Sequence, residues 1–452
     1  MLARDRALWT LVFVISLVLL CAPALWNGFP LLQYDTGGYL VRWYEGYLVP
    51  SRPAPYGLLL DLGALWNFWP VVILQSSLTI WIVALVLRAQ GLARPLAVLG
   101  VIVALSFLTT LPWLSAILLT DIFCGLGILA LYLVVAEAGS LQRWERYALI
   151  VLIGYAGSTH SATFAVLIAL WIAAMAYRFI DRQRFALPRL RDGAIAVALG
   201  AVLMLAGNFI VSGKLAWTPG GASLMFGRML QDGIVKRYLD EHCPDRRLTL
   251  CSYRAELPAN ADMWFWGSKL FDRLGRFAGL GSEMQHIALD SLRDYPLLQA
   301  EAALAATAHQ LAAVHTGEGV VYWVWHSYGM MQRYTPWVMP ALDASRQMKR
   351  QIDFTLVNRL HYPLALLSLL LLPLIMFLLR AQRFRPVRDF AAAMSLAVLA
   401  NAAVCGIFSN PHDRYGARIV WLAAFAVAAA AARLAAERPA VAALDPVAPA
   451  VP

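Results

Sequence analysis

Charge is what this sequence has least of. Only 14% of its 452 residues are Asp, Glu, Lys or Arg, where soluble domains carry roughly a quarter. That shortfall excludes an ordinary water-soluble globule, and a hydrophobic content of 60% points the same way. Nucleotide-handling signatures are missing too: there is no P-loop and no dinucleotide fingerprint. Nor is there a GxSxG element or a zinc-type spacing of Cys and His. Cysteine is scarce, with five in all. Cys21, Cys124 and Cys405 fall in apolar runs and read as small core residues. Cys243 and Cys251 lie in the one long polar region and close a short disulfide loop if that region faces an oxidising compartment. No internal repeat is visible.

What the chain has is long apolar runs. Those of near-spanning length cover residues 8–26, 64–87, 95–112, 118–137, 147–158, 162–180, 192–212, 361–380, 389–408 and 417–436. The expectation is an all-α polytopic membrane protein with about ten transmembrane helices. The first run is too long for a signal-peptide core and lacks a small-x-small cleavage site, so it reads as a retained signal anchor. The fifth merges into the sixth through GSTHSA, a tight turn.

The net charge of +10 has a topological origin. Arg4 and Arg6, Arg88 and Arg94, Arg143 and Arg146, the five arginines of 178–191, and the four of 380–388 all fall on one side if the spans alternate. By the positive-inside rule that side is cytoplasmic, with both termini. No basic face interleaved with aromatics accompanies the charge, so nucleic acid is not an expected partner.

Three divisions follow. Residues 1–212 form an N-terminal membrane module with a first outer loop at 27–63. Residues 213–360 are too polar to span and too rich in Trp and Tyr to be disordered, so they predict a small, mostly helical extracytoplasmic domain. Residues 361–436 carry the last membrane helices, and the Pro/Ala-rich 437–452 reads as a disordered tail.

The chemistry-bearing residues gather at the outer face. Asp35 stands in LLQYDTGGYL, within a loop dense in aromatics, Arg and Pro. Gly37 and Gly38 there predict a sharp turn and a close approach to a ligand. Asp121 stands alone in LLTDIFCG, near the outer end of a span. An acid at such depth is costly unless it is paired or faces a cavity. Arg42 and Arg52 in the first loop, and Arg414 and Arg418 in HDRYGARIVWL, run against the positive-inside bias. The last two are four apart and share a helix face. Guanidinium groups at headgroup depth match phosphate oxygens. Each candidate also has a plainer explanation: an exposed loop acid, an acid reaching the interface, arginines paired with Asp413 or with ordinary lipid. His160 in GYAGSTHSATF is a further isolated polar residue. Glu45, Asp61 and His412 are weaker candidates.

In order and topology these motifs resemble the GT-C class of integral-membrane glycosyltransferases. The resemblance covers roughly residues 1–212 and 361–436. Asp35 in QYDTGGY matches the acid of the class's first outer loop, and Asp121 in LLTDIFCG the second acid. HDRYGARIVWL, with Arg414, Tyr415 and Arg418, looks like the basic-aromatic motif before a late span. GSTHSA, with His160, resembles the polar turn between the fifth and sixth spans. Two departures stand out. The doubled acid of several subfamilies is absent, and the outer domain falls between the seventh and eighth spans.

The resemblance implies transfer of a sugar from a polyprenyl-phosphate donor to an acceptor hydroxyl of a glycan, lipid or protein. This would be an inverting reaction at the outer face of a bacterial-type inner membrane. It implies Asp35 and Asp121 as catalytic acids, with Asp35 the base. Arg414, Arg418, Tyr415 and Arg52 would hold the donor phosphate. His160, Tyr34, Tyr39, Arg42 and His412 would contact donor or acceptor. No nucleotide needs to bind, and whether a divalent metal serves as cofactor stays open. The alternatives are another lipid-linked transferase of the ligase or polymerase type, a lipid flippase or transporter using Asp121 and His160 as relays, and a structural subunit.

Overall fold

The computed structural model describes residues 3–46, 48, 52–217 and 221–437. Among them every regular element is helical, apart from one isolated parallel bridge between Leu31 and Ile117. The expected disordered tail lies, from residue 438 on, outside the described residues.

Six helices are long and apolar enough to cross a membrane: Asp5–Asn27 (within the helix Ala3–Asn27), Trp69–Ala89, Leu187–Ser212, Thr355–Leu378, Gln382–Phe408 (a short 3-10 turn continuing into the helix Arg385–Phe408) and Asp413–Ala436. At 1.5 Å per residue, the 21 residues of Trp69–Ala89 reach about 30 Å, the thickness of a hydrocarbon core. The chain is thus an all-α, multi-pass membrane protein. The ten-span expectation is not reproduced at this length. The runs at 95–112, 118–137, 147–158 and 162–180 fold as Pro95–Leu108, Asp121–Ala136, Arg143–Thr159 and Ser161–Tyr177, of 14 to 17 residues. Polar residues set the bounds: the helices of the first two of these runs and the last stop short of the apolar run's end, while Arg143–Thr159 extends past both ends of its run. His160 breaks the last pair with an extended backbone.

Proline sets several helix starts. Pro70, Pro95, Pro112, Pro188 and Pro296 each occupy the first positions of their helices, where no amide donor is needed. Small residues set close helix contacts, as lipid leaves little hydrophobic drive between spans. A methyl group on Gly200 would stand 3.2 Å from the Gly154 carbonyl oxygen and 3.5 Å from Gly157 Cα. That spacing locks Leu187–Ser212 against Arg143–Thr159. On the side expected to be cytoplasmic, Arg184 bridges Glu137 and Asp389, and Arg385 reaches Asp181 at 2.5 Å.

The 213–360 segment divides in two. Residues 221–295 build their own core around Phe226, Trp264, Phe271, Met284 and Ile287, and Cys243 is bonded to Cys251. Buried Arg228 ties this part to the membrane helices, donating to the Ile407 carbonyl (3.2 Å) and to Gln299 Oε1 (2.8 Å). Val320, Met331, Val338, Leu342 and Phe354 belong instead to the main core. The helix Trp325–Tyr334 packs on Thr36–Glu45, in the 27–63 segment.

Candidate functional site

Two distant stretches are stitched together before any charged group meets. Leu31 donates its amide to the Ala116 carbonyl (3.0 Å) and accepts from Leu118 N–H (2.9 Å). Thr36 Oγ1 donates to the Leu118 carbonyl at 2.9 Å. Gln347 brackets Leu32 from the other side. Its Oε1 accepts from Leu32 N–H (2.9 Å), and its Nε2 donates to the carbonyls of Leu32 (2.7 Å) and Val320 (2.8 Å). This frame brings the start of the helix Thr36–Glu45 beside the start of Asp121–Ala136, and so Asp35 beside Asp121.

The glycines of DTGGY do not form the expected turn. Gly37 and Gly38 are helical, in Thr36–Glu45. Their value is missing bulk: a methyl group on Gly37 would stand 2.7 Å from Ser327 Cα, and one on Gly38 would stand 2.6 Å from Arg52 Cδ. The first lets Trp325–Tyr334 dock, where Ser327 Oγ accepts from Gly37 N–H (2.8 Å) and donates to the Gln33 carbonyl (2.7 Å). The second leaves a path for Arg52 to reach Asp35. What approaches closely is the protein's own chain.

Asp35 precedes its helix as an N-cap residue, yet its carboxylate makes no capping bond. It faces arginine instead. Arg52 Nη2 donates to Oδ1, and Arg414 Nη1 donates to Oδ2 at 2.5 Å. Arg414 also grips Asp121, through Nε to Oδ2 (2.7 Å) and Nη2 to Oδ1 (3.3 Å). Arg418, wholly buried, lies 3.7 Å from Asp121 Oδ1 and donates to Asn401 Oδ1 at 3.1 and 2.8 Å. Tyr415 lies beneath both guanidinium groups, 5.6 Å from Arg414 and 5.4 Å from Arg418, and Tyr34 stands 5.8 Å from Arg414. These are cation–π distances. Burial and the facing Arg414 pull Arg52 down to about 10, which leaves it charged at neutral pH. Burial pushes the Tyr34 phenol up to about 12, so it stays a neutral donor.

Helix ends add to this field. Thr36–Glu45, Asp121–Ala136, Ser161–Tyr177 and Asp413–Ala436 all begin at the cluster or one residue from it, with partial positive charge at each start. Three guanidiniums thus stand against two carboxylates. The room beside Asp121, Glu318 and Arg414 is about 30 Å³, one water's worth.

Other candidates lie around this centre. Tyr39 OH sits 3.3 Å from Thr120 Oγ1, beside Asp121. Arg42 is fully buried two turns along the helix from Asp35. His160 begins Ser161–Tyr177, with Nδ1 accepting from Ala162 N–H at 3.2 Å. His412 is one layer out, its ring edge-on to Tyr415. Glu45 and Asp61 lie apart: Glu45 pairs with Arg333 at 3.2 Å, and Asp61 accepts from Tyr44 OH at 2.7 Å.

Glu318 was not among the candidates. Its Oε2 accepts from the Arg414 amide (2.7 Å), and its Oε1 meets His412 Nδ1 (2.7 Å). It caps the last helix from a segment almost a hundred residues away. The neighbouring Gly317 and Gly319, both at positive φ, are the signal in sequence for the tight loop that carries it. Burial is the largest single influence and works to raise its carboxyl, but the bonds and charges of His412 and Arg414 together outweigh it and hold the carboxyl low. Burial likewise works to lower His412. Its bonds to Asp262 and Glu318 outweigh that and push it up to about 10. Asn401, which orients Arg418, also went unnoticed as a lone amide in an apolar run.

Among the described residues, no group of three or more His, Cys, Asp and Glu is arranged to hold a metal ion. No family model, no curated protein and no solved structure matches this chain.

Proposed function

We propose that the chain is a membrane glycosyltransferase that moves a sugar from a polyprenyl-phosphate donor to an acceptor hydroxyl at the outer membrane face. The acceptor is a glycan, lipid or protein, and the membrane a bacterial-type inner membrane with both termini cytoplasmic. The observation that carries this is Arg414 clasping Asp35 and Asp121 together amid an excess of positive charge. Three guanidiniums and two carboxylates leave one net positive charge, the Glu318 carboxylate beside them being countered by its ion pair with His412. A phosphodiester, with one negative charge, neutralises it, and the helix starts favour the same anion.

The chemistry follows from exchange of partners. With Asp35 held by two arginines, it is a poor base. A donor phosphate taking Arg52 and Arg414 for itself releases the Asp35 carboxylate toward the acceptor. The room of about 30 Å³ is too small for a sugar phosphate, so the donor enters by displacing the 33–35 and 317–319 segments. Asp35 then takes the proton of the acceptor hydroxyl. The oxygen attacks the anomeric carbon, the bond from that carbon to the phosphate oxygen breaks, and polyprenyl phosphate leaves with inversion. Arg52, Arg414 and Arg418 stabilise the charge growing on it. Asp121 keeps Arg414 aimed.

The test is turnover of a panel of polyprenyl-phosphate sugars by purified protein, beside Asp35→Asn. Transfer or release from one donor, lost in the folded mutant, supports the proposal. Full activity in Asp35→Asn removes Asp35 as base. Binding of the lipid phosphate with no turnover of any sugar favours a flippase.

A further inference from the structure

A second cavity lies on the opposite side, away from the acids. It has about 380 Å³ of space, between Ser161–Tyr177 and the start of Leu187–Ser212, lined by Trp171, Met175, Leu187, Pro188, Leu190 and Arg191 among others. That volume lies within the usual range of small-molecule sites. Its walls are apolar. The one polar group of the Trp171 side chain is already engaged, its Nε1–H donating to the Leu190 carbonyl at 2.9 Å.

Arg191 is the exception on this wall. Three of its basic neighbours have partners: Arg178 Nη1 donates to the carbonyls of Arg182 and Phe185, Arg184 pairs with Glu137 and Asp389, and Arg189 donates to the Arg184 carbonyl; Arg182, exposed in the loop, does not line the groove. Arg146 takes up Asp192, the carboxylate next to Arg191 in sequence. Among the described residues, Arg191 has no hydrogen-bond or ion-pair partner. It is exposed at the rim of the groove, at the end of the span where arginines gather. Exposed Ile172 and Leu187 flank the groove and extend its apolar surface toward lipid.

An apolar channel with one unengaged guanidinium at its polar end fits an acyl chain and its phosphate. We infer that this groove binds one anionic phospholipid of the cytoplasmic leaflet, its chain along Trp171, Met175 and Leu190 and its phosphate on Arg191. Basic pockets between helices on that side are the usual seats of anionic headgroups. The inference rests on membrane embedding with this end of the spans cytoplasmic and is independent of the transferase chemistry.

Native mass spectrometry of the purified full chain, titrated with phosphatidylglycerol or with phosphatidylcholine of the same acyl chains, tests it. One phosphatidylglycerol should bind more tightly than phosphatidylcholine, and Arg191→Gln should remove about fivefold of that preference, as for one surface cation. Ala194→Trp, which fills the groove, should weaken both lipids. Arg191→Gln is at an exposed position and keeps the test open if Ala194→Trp does not fold. Equal binding of the two lipids, a preference unchanged in Arg191→Gln, or displacement by equimolar undecaprenyl phosphate would each overturn the inference.

Discussion

Arg414 reaches across 379 residues of sequence to Asp35 (2.5 Å) while holding Asp121 at 2.7 Å with its Nε. One guanidinium therefore joins the 27–63 segment, the start of Asp121–Ala136 and the start of Asp413–Ala436. Removing it leaves a nearly fully buried Asp121 carboxylate short of a partner.

Arg414→Met should therefore destabilise the protein by about 3–5 kcal/mol, as for breaking a buried pair. Asp121→Asn in the same chain should recover part of that loss, because the stranded charge is gone. Thermal unfolding in detergent, read for both singles and the double, measures the coupling. Strict additivity would mean that the two side chains do not depend on each other.

Arg52→Lys keeps the positive charge but loses the planar fork. Under the proposed transfer chemistry, kcat on the best polyprenyl-phosphate donor should fall about a hundredfold, the scale of one transition-state donor. A change confined to KM would assign Arg52 to ground-state binding alone.

Gly319 sits at φ +75, and an added methyl would meet the Tyr34 ring and the Gln33 amide. Gly319→Ala should cost about 1–3 kcal/mol from backbone strain and should loosen the Tyr34–Gly319 backbone bond (3.0 Å). Faster amide exchange at Tyr34 checks the second effect.

His412, Glu318 and Asp262 give stability a pH window. His412 is pushed up to about 10 from an ordinary 6.5, so its contribution is full below 6.5 and is lost as pH rises toward 10. Glu318 and Asp262 are lowered. Burial, the largest single influence, opposes this in both; His412's bond and charge, joined by Arg414 at Glu318 and by Asn410 at Asp262, together outweigh it. Their contribution is complete above their ordinary 4.5 and 3.8 and is lost as pH falls below these. Unfolding temperature should be highest between about pH 5 and 6.5. His412→Gln should flatten the alkaline decline.

Cys243 and Cys251 close a loop with a sequence separation of 8, which in the chain-entropy account is worth about 2–3 kcal/mol. Reduction, or a double Ser replacement, should lower the unfolding transition of residues 221–295 and leave the membrane helices helical. Circular dichroism with and without reductant separates the two.

The membrane character of the chain and its lone charges were legible in the sequence. Asp121 in LLTDIFCG and Arg414 in HDRYGARIVWL stand in apolar surroundings, where a charge must find a partner. What was not legible was who would be the partner. Glu318 lies in a polar segment where acids are unremarkable, and only its loop's glycines hint at a special path. Gly37 and Gly38 looked like a turn because glycine pairs usually make one. Docking of Ser327 and passage of Arg52 gave them a helical role instead. Of the ten expected spans, six reach spanning length. Apolar composition runs past polar residues at which a hydrogen-bonded helix stops, as at Thr109, whereas the break at GSTHSA was legible.

The three arginines and two acids come from four stretches of chain, between residues 35 and 418. During synthesis, Asp35, Arg52 and Asp121 emerge early, while Arg414 and Arg418 arrive only with the final span. Until then, Asp35 and Asp121 face each other with Arg52 as the one cation of the set. Insertion of Asp413–Ala436 therefore turns the set from one net negative charge to one net positive charge, and the site cannot assemble before that helix is in place.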